Sequence, residues 1–287
     1  REGKSIISLS AGEPDFPTPS FICDAAVKAI RNGAHGYTMN TGTPELREAI
    51  CAKLKRDNGL DYTPAQIICS NGAKQSVGFS LLAMVNPGDE VIIPAPYWVS
   101  YPAMTQLAQG IPVPVRTSFE HNYRLTPEQL EEAITDKTRV LILCSPSNPT
   151  GSCYSKQDLV GLGEVLRRNP HISIISDEIY EYIVFDEEHI NLLNVAPDLK
   201  DRVALINGFS KGFAMTGWRL GYLAGPEELV KAVGKIQSQE TSAPSSISQA
   251  AGFAAYSGTL DEVLVMRASF KERRNFMVEQ LNSIEGV

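Results

Sequence analysis

The 287-residue sequence lacks several features that would assign it to a familiar class. No uninterrupted apolar stretch approaches the ~20 residues that a membrane-spanning helix needs. The five cysteines are odd in number and show no paired or metal-binding spacing, so we expect reduced, mostly buried thiols. The four histidines are scattered without an HExxH-like arrangement. Membrane-spanning, disulfide-stabilised and metal-centred proteins are therefore not indicated.

Clusters of positive charge and nucleotide-binding fingerprints are also missing. The chain carries 26 Lys and Arg against 33 Asp and Glu, a net charge of −7, and no basic block. Nucleic acid and membranes are therefore not expected as partners. No GxGxxG or Walker A motif occurs, which argues against binding of a dinucleotide or a nucleoside triphosphate.

Short apolar runs alternate with loops and helical patterns through most of the chain. Strands are predicted at 5–9, 67–69, 90–93, 111–115, 140–143, 172–175, 203–206 and 220–223. Alternation of this kind predicts an α/β domain with a mostly parallel sheet and helices on both faces. The link between the last two strands is too short for a crossover helix, so that pair is predicted to be antiparallel.

Predicted helices precede and follow the alternating region. One covers residues 20–32, and another begins at Thr43-Pro44 and stops near Gly59. A long amphipathic helix ends the sequence, with apolar residues at three- and four-residue steps. These are Val263, Met266, Phe270, Met277, Leu281 and Ile284.

Lys211 follows the apolar strand at 203–206 and stands between apolar neighbours. Desolvation lowers the pKa of an ammonium group, and a neutral amine is what forms a Schiff base with a carbonyl. Arg219 offers a planar fork that suits a phosphate. The alternative is an ordinary pair of surface cations in a loop.

Other polar residues follow the ends of predicted strands, where ligands bind in open α/β sheets. Gly72, Ala73 and Lys74 open a helix, which predicts a phosphate cradle or merely a plain turn. Trp98 could stack on a planar ring, although a Trp in such a position is more often a core residue. Asn148 lies in a loop stiffened by two prolines and is either an aimed amide or a turn residue.

The strand at 172–175 leads to an acidic residue and a tyrosine. Asp177 ends a very apolar run, so its carboxylate needs a partner, or else it caps a helix. Tyr180 is expected to share a helix face with Asp177, unless it is simply a packed aromatic residue. With Lys211, Asn148 and Arg219 these side chains match the groups of pyridoxal phosphate (PLP). In PLP an Asp keeps the ring nitrogen protonated and makes the ring an electron sink.

The sequence resembles the class I aminotransferases of the aspartate aminotransferase family, which have the PLP-dependent fold type I. It is most similar to the prokaryotic-type aspartate/prephenate branch, which includes plastid enzymes. The motifs that carry the resemblance are Ala11-Gly12-Glu13-Pro14-Asp15-Phe16, Asn71-Gly72-Ala73-Lys74-Gln75, Pro94-Ala95-Pro96-Tyr97-Trp98-Val99-Ser100-Tyr101, Ser145-Pro146-Ser147-Asn148-Pro149-Thr150-Gly151, Ser176-Asp177-Glu178-Ile179-Tyr180 and Ser210-Lys211 through Arg219.

The resemblance implies a role for each matching residue. Lys211 would form the internal aldimine and then move the proton, with Asp177 on the ring nitrogen and Tyr180 as the third catalytic residue. The cofactor contacts would be Gly72, Ala73, Lys74, Trp98, Asn148, Asp177, Tyr180, Lys211, Arg219 and, from a neighbouring subunit, Tyr37. The substrate contacts would be Gly12, Lys74, Trp98 and Asn148.

The implied activity is transfer of an amino group from aspartate or glutamate to 2-oxoglutarate, oxaloacetate or prephenate through a pyridoxamine phosphate intermediate. The implied assembly is a homodimer, in the bacterial cytoplasm or in the plastid stroma of a plant or alga. A lyase or synthase of the same fold and a non-catalytic PLP-binding module are the alternatives. A dinucleotide oxidoreductase is disfavoured by the missing glycine fingerprint.

Two departures from the family pattern bear on these expectations. Gly208 stands where many relatives have a phosphate-binding serine three residues before the lysine. The family's arginine for the substrate α-carboxylate lies in a C-terminal small domain. We therefore expect residues 1–260 to form the PLP-binding large domain, and 261–287 to begin the helix leading to a small domain that this sequence does not include.

Overall fold

One seven-stranded sheet organises the chain in the computed structural model, which describes Gly3 and residues 12–286. The predicted strand at 5–9 lies outside the described residues. The spatial order of the strands is β1-β7-β6-β5-β4-β2-β3. They are β1 (Ile67–Ser70), β2 (Glu90–Ala95), β3 (Ile111–Arg116), β4 (Thr138–Cys144), β5 (Ser173–Asp177), β6 (Val203–Gly208) and β7 (Gly221–Ala224).

The sheet is parallel except for one strand. β2, β3, β4, β5 and β6 run parallel to one another, whereas β7 runs antiparallel to both of its neighbours, β6 and β1. The prediction that the strands at 203–206 and 220–223 pair in opposite directions is confirmed. β1 has the same direction as β6, because β7 lies between them and opposes both.

Ten α-helices surround the sheet in the described part of the chain. They are α1 (Ser20–Arg31), α2 (Pro44–Asn58), α3 (Ala73–Met84), α4 (Ser100–Leu107), α5 (Pro127–Ala133), α6 (Lys156–Arg168), α7 (Leu192–Val195), α8 (Glu227–Glu240), α9 (Ser246–Ser257) and α10 (Asp261–Asn282). The ends of α2 follow from local chemistry. The Thr43 side chain accepts a hydrogen bond from the Leu46 amide, and Gly59 ends the helix at φ +67°.

The sheet is covered on both faces, as predicted for its continuous apolar strands. Side chains alternate along each strand, so that in β6 Val203 and Leu205 enter one core while Ala204 and Ile206 enter the other. The first core is packed against α1, α2, α6 and α9 residues, and the second against α3, α4 and α8 residues. Burial on both faces fixes the strands that support the site.

Two prolines protect the free edge of the sheet at β3. The Ile111 amide donates to the oxygen of Asp89, the residue before β2, at 2.8 Å. The Thr117 amide donates to Ala95 O at the end of β2 at 3.0 Å. Alternate residues therefore face away from β2, and Pro112 and Pro114 occupy that set. Proline has no amide donor, so this edge cannot pair readily with another strand.

The predicted C-terminal helix forms α10, but its apolar stripe is covered only at the start. Val263 and Met266 are buried, whereas Met277 and Leu281 are 45% and 44% exposed, and Ile284 lies beyond the end of the helix. None of the described helices has the length and apolar character required to span a bilayer.

Candidate active site

A cavity of about 640 Å³ opens where the carboxyl ends of the parallel strands meet. The loops after β1, β2, β4, β5 and β6 all contribute to its wall, because these strands run in one direction and end at one edge. The cavity is lined by Gly12, Glu13, Ala73, Lys74, Trp98, Tyr101, Asn148, Asp177, Ile179, Tyr180, Ser210, Lys211, Thr216, Gly217 and Arg219. Nine of the eleven predicted site residues are among them, and Gly72 adjoins the cavity through Arg219.

Asp177 forms the floor of the cavity as the last residue of β5 and is 4% exposed. Its Oδ2 accepts a hydrogen bond from Tyr101 Oη at 2.7 Å, and its Oδ1 accepts one from the Ile179 amide at 3.3 Å. Burial raises the pKa of Asp177 to about 6, although the hydrogen bond from Tyr101 acts in the opposite direction. A cationic ligand group beside Asp177 would therefore stabilise the charged form of this carboxyl.

Tyr101 lines the cavity and belongs to one of the family-like motifs, but no role was predicted for it. It is buried in α4, three residues after Trp98, which precedes the helix, and the two rings meet edge to face with centroids 5.4 Å apart. Its place in the same motif as Trp98 is the signal that could have identified it. Glu13 and Thr216, which hydrogen-bond to each other at the cavity wall, are likewise additional.

Asn148 and Tyr180 meet at the side of the cavity. Asn148 Nδ2 donates to Tyr180 Oη at 3.1 Å, and burial raises the pKa of the Tyr180 phenol to about 12. The expectation that Tyr180 and Asp177 share a helix face is wrong. Residues 178–182 form consecutive turns, closed by amide bonds such as Ile183 N to Tyr180 O at 2.8 Å. Glu178 N bonds to Ile206 O of β6, so contact with the sheet continues one residue past Asp177. The chain turns only after Glu178, where a helix in register with Asp177 would have to begin earlier.

Lys211 enters the cavity from the loop after β6. Its Nζ donates to Gly12 O at 2.5 Å and lies 5.9 Å from the centroid of the Tyr180 ring. Burial lowers the pKa of Lys211, the Arg219 charge acts in the same direction, and Glu13 opposes both. A larger fraction of the Lys211 side chain is therefore in the neutral amine form than at an ordinary lysine.

The opposite end of the cavity suits an anion. The N-terminus of α3 follows Gly72, which has φ +86°, and its first two residues, Ala73 and Lys74, line the cavity. The first-turn amides of a helix have no partner within the helix and attract anions. Arg219 packs on Gly72, and a Cβ at that position would be 3.0 Å from the Arg219 Cζ. The Arg219 backbone has φ +52°, a left-handed conformation that non-glycine residues rarely adopt. Its guanidinium is held by a hydrogen bond from Nη1 to Thr216 O at 2.9 Å.

Gly208 and Gly221 allow α3 to approach the sheet. A Cβ on Gly221 would overlap the Ala73 amide nitrogen and come within 2.7 Å of Gly72 C. A Cβ on Gly208 would lie 2.9 Å from the Gly221 Cα. The serine that many relatives have at position 208 would therefore require the backbone to shift. The Ser210 hydroxyl, two residues further on, does line the cavity.

Lys74 and Trp98 lie together at the cavity wall. Lys74 is exposed, and its Nζ lies 4.8 Å from the centroid of the partly buried Trp98 ring. The ammonium group is thus held over an aromatic face while remaining available to a ligand.

The structure does not bring Tyr37 into this cavity. Tyr37 is 100% exposed, near Phe253 in a separate surface depression, and Met39 beside it is 55% exposed. Among the described residues no group of three or more His, Cys, Asp or Glu side chains could hold a metal ion.

Comparison with known proteins shows similarity to aminotransferases at the level of family and of individual proteins. The model of the family "Aminotransferase class I and II" matches residues 4–287. The chain is 50% identical to the aspartate/prephenate aminotransferase of Nitrosomonas europaea over 100% of this chain and 72% of that protein. It is 53% identical to a bifunctional aspartate aminotransferase and glutamate/aspartate-prephenate aminotransferase of Petunia hybrida, covering 99% of this chain and 60% of that protein.

Solved structures extend the similarity to three dimensions. The aspartate aminotransferase from Rhizobium meliloti superposes with a TM-score of 0.98 at 48% identity, over 99% of this chain and 72% of that one. The aspartate aminotransferase from Thermus thermophilus, solved with maleate, gives a TM-score of 0.91 at 40% identity, over 96% and 72% of the two chains.

Proposed function

Because the chain belongs to the class I and II aminotransferase family, whose aspartate aminotransferase members use PLP, we propose that it transfers the amino group of aspartate or glutamate to a 2-oxo acid. One observation carries the proposal: a single cavity combines the Lys211 amine, the buried Asp177 carboxyl and an anion-binding helix start beside Arg219.

The residues present fit PLP as a cofactor. The α3 N-terminus at Gly72, Ala73 and Lys74, together with Arg219, would hold the phosphate. Trp98 would stack on the ring. Tyr180 and Asn148, already paired through Oη and Nδ2, would bind the phenolic oxygen. When bound, PLP supplies a carbonyl that condenses with amines and a ring that accepts the electron pair released at the substrate α-carbon.

Asp177 would keep the cofactor ring nitrogen protonated. Its carboxyl is buried and accepts hydrogen bonds on both oxygens, so the free charge is costly in the absence of a nearby cation. A protonated ring nitrogen would be such a cation. Tyr101 would fix the orientation of the carboxylate toward it.

Lys211 would act as the covalent anchor and then as the base. Its lowered pKa favours the neutral Nζ, which is the form that attacks a carbonyl and accepts a proton. As a free amine, Nζ would hold the proton taken from the substrate α-carbon and then give it up again. Gly12, whose carbonyl accepts from Lys211 Nζ, would let the substrate approach the backbone.

Lys74 supports a preference for dicarboxylic substrates. Its ammonium lies over Trp98 at the cavity wall, where it would meet a carboxylate on the substrate side chain. The relatives are named for aspartate, glutamate and prephenate, and the Thermus thermophilus enzyme was solved with maleate, a dicarboxylate. We therefore propose aspartate or glutamate as donor, and 2-oxoglutarate, oxaloacetate or prephenate as acceptor.

Lys74→Ala is expected to weaken maleate binding to the PLP-loaded protein by about tenfold, because one charge-assisted contact of ~1.4 kcal/mol is lost. The dissociation constant is measured from the change in the visible spectrum on titration. Acetate, with a single carboxylate, serves as the control ligand and should bind equally to both proteins. Equal maleate affinities would exclude Lys74 as the carboxylate contact.

A half-reaction tests the proposed activity. The PLP-loaded protein, given L-aspartate but no acceptor, is expected to release one equivalent of oxaloacetate per site and to retain the amino group. A lyase or synthase of the same fold would release other products or continue to turn over. Absence of oxaloacetate, with PLP demonstrably bound, would contradict transamination by this chain.

A homodimer is proposed from the position of Tyr37. Tyr37 is fully exposed beside the exposed Met39 and Phe253, and this mainly apolar patch would be covered by a second copy, whose cofactor phosphate Tyr37 would contact. Sedimentation equilibrium is expected to give twice the chain mass of 31.3 kDa. In a dimer, Tyr37→Phe should also weaken PLP binding. A monomer at micromolar concentration would contradict this assembly.

The domain arrangement and compartment follow as further proposals. We propose that residues up to 260 form the cofactor-binding domain and that α10 begins the helix leading into a small domain, since its later apolar residues are exposed. The curated relatives come from bacteria and plants. The corresponding compartments are the cytoplasm and the plastid stroma.

A further inference from the structure

The turn that carries Asp177 and Tyr180 has a second, interior face. Asp177 and Tyr180 line the cavity, whereas Glu178 and Glu181 point away from it and are buried. The members of each pair are three residues apart, so the cavity-facing pair and the buried pair alternate along the consecutive turns. Two buried carboxylates directly behind a cofactor site are unusual, because an unpaired buried charge is costly.

Glu178 is fully satisfied by side chains from two elements. Its Oε1 accepts from Ser176 Oγ at 2.5 Å and from Asn191 Nδ2 at 2.7 Å, and its Oε2 contacts His189 Nε2. The side chain is 3% exposed. Asn191 in turn caps α7 by accepting from the Leu193 amide at 2.7 Å. Glu178 therefore ties the turn after β5 to the segment that opens α7.

Glu178 and the protonated form of His189 make a buried ion pair. Burial acts to lower the pKa of His189, but the charge of Glu178 and its hydrogen bond outweigh burial, so the pKa is raised. Glu181 acts in the same direction, and Lys53, which pairs with Glu181, opposes it. Glu178, Glu181 and Lys53 are the charged groups that face this imidazole, and Tyr62 feels the Glu178 charge nearby.

Glu178 is coupled to the site through the backbone. Its amide donates to Ile206 O at 2.8 Å, and its carbonyl accepts from Glu181 N at 2.9 Å. The next amide, that of Ile179, donates to Asp177 Oδ1. A displacement of the Glu178 backbone would therefore move the Asp177 carboxylate and, through the following turn, the Tyr180 ring.

We propose that Glu178, held by His189 and Asn191, is a positioning residue that fixes Asp177 and Tyr180 for the cofactor without touching it. The inference rests on the proposed function, because it concerns the same PLP site. Glu178 thereby sets PLP affinity and turnover, while Lys211 and the phosphate end of the cavity remain intact.

The pH dependence of this arrangement has a defined sign. The pKa of His189 is raised in the folded protein, so the ion pair stabilises the fold fully below the ordinary His pKa of 6.5. That stabilisation is lost as pH rises through the raised value. PLP affinity should therefore fall over this range more in the wild type than in His189→Gln, which keeps a hydrogen-bond donor but cannot titrate.

The experiment compares Glu178→Gln and Glu178→Ala with the wild type by titrating PLP into purified cofactor-free protein and following its visible band. Both variants should retain the band, with dissociation constants raised about tenfold for Gln and more for Ala, and with kcat lowered more than KM is raised. Thr138→Val is the matched control. It removes a buried hydroxyl at the opposite end of the sheet and should lower stability without changing PLP affinity.

Each outcome has a distinct meaning. If the wild type forms no band, the proposed function fails. If the wild type binds and both Glu178 variants bind within twofold of it, the positioning role is refuted. Should Glu178→Ala not fold, Glu178→Gln and Asn191→Ala give the same comparison at temperatures well below their melting points. A loss of stability alone, without a change in affinity or kcat, would also overturn the proposal.

Discussion

Lys211→Ala is expected to abolish the visible absorption band that the wild type forms with added PLP and to lower kcat by at least ~10⁴-fold. Lys211 Nζ is the amine at the centre of the cavity, between Gly12 O and the Tyr180 ring, and its lowered pKa favours the reactive neutral form. The measurement is an absorption spectrum of the purified variant with PLP, followed by the aspartate half-reaction.

Lys74→Ala is the matched control for this experiment. Lys74 also lines the cavity, but its Nζ lies over the Trp98 ring, and the proposed role of Lys74 is to contact a substrate carboxylate. Its replacement should leave the band intact. A band of unchanged intensity in Lys211→Ala, or the loss of the band in Lys74→Ala, would show that Lys211 is not the lysine that binds PLP covalently.

Asp177→Asn is expected to lower kcat by ~10²- to 10⁴-fold and, at the same time, to stabilise the cofactor-free protein at neutral pH. Burial raises the pKa of Asp177 to about 6 from 3.8. Because a raised carboxyl pKa costs stability as pH rises from 3.8 through about 6, and the cost is complete above that range, the variant should gain stability over it. At ~1.4 kcal/mol per pH unit the gain approaches roughly 3 kcal/mol above pH 7.

The sign of this effect is checked by urea unfolding of cofactor-free wild type and Asp177→Asn between pH 4 and pH 8. The two unfolding free energies should converge near pH 4 and diverge by pH 7. Tyr101→Phe, which removes the hydrogen bond from Tyr101 Oη but leaves the carboxyl, should change stability in the opposite direction at pH 7. If Asp177→Asn were less stable than the wild type at every pH, burial of the charged Asp177 carboxylate would not be the cost to stability that the account requires.

The strands and most helices could be predicted because local patterns and global burial agree. Strands such as β4 and β6 are buried on both faces, so they read as uninterrupted apolar runs. The ends of α2 were specified by Thr43, Pro44 and Gly59. The antiparallel pairing of β6 and β7 followed from the length of one loop.

The turn after β5 could not be predicted from spacing alone. A three-residue step between Asp177 and Tyr180 matches a helix face, but Glu178 bonds to β6 and the buried Glu178 and Glu181 carboxylates hold the following residues in turns. Such a tertiary contact leaves no periodic signal. The same holds for His189, which reads as an isolated histidine in the sequence and is buried against Glu178 in the structure.

The remaining features of the site depend on contacts across the sheet. Tyr101 reaches Asp177 from a helix 76 positions earlier in the chain. Gly208 is explained by Gly221 on the neighbouring strand, which leaves no room for a side chain. The residues that carry the chemistry are marked by their position after strands, whereas those that orient them are recognised only when the fold brings them together.

A crystal structure of the PLP-loaded protein would test the central claim most directly. The account predicts the phosphate against the α3 N-terminus and Arg219, the ring nitrogen within hydrogen-bond distance of Asp177, and continuous density from Lys211 Nζ to the cofactor. PLP bound in the reverse orientation, with its phosphate away from Arg219, or attached to a lysine other than Lys211, would contradict it.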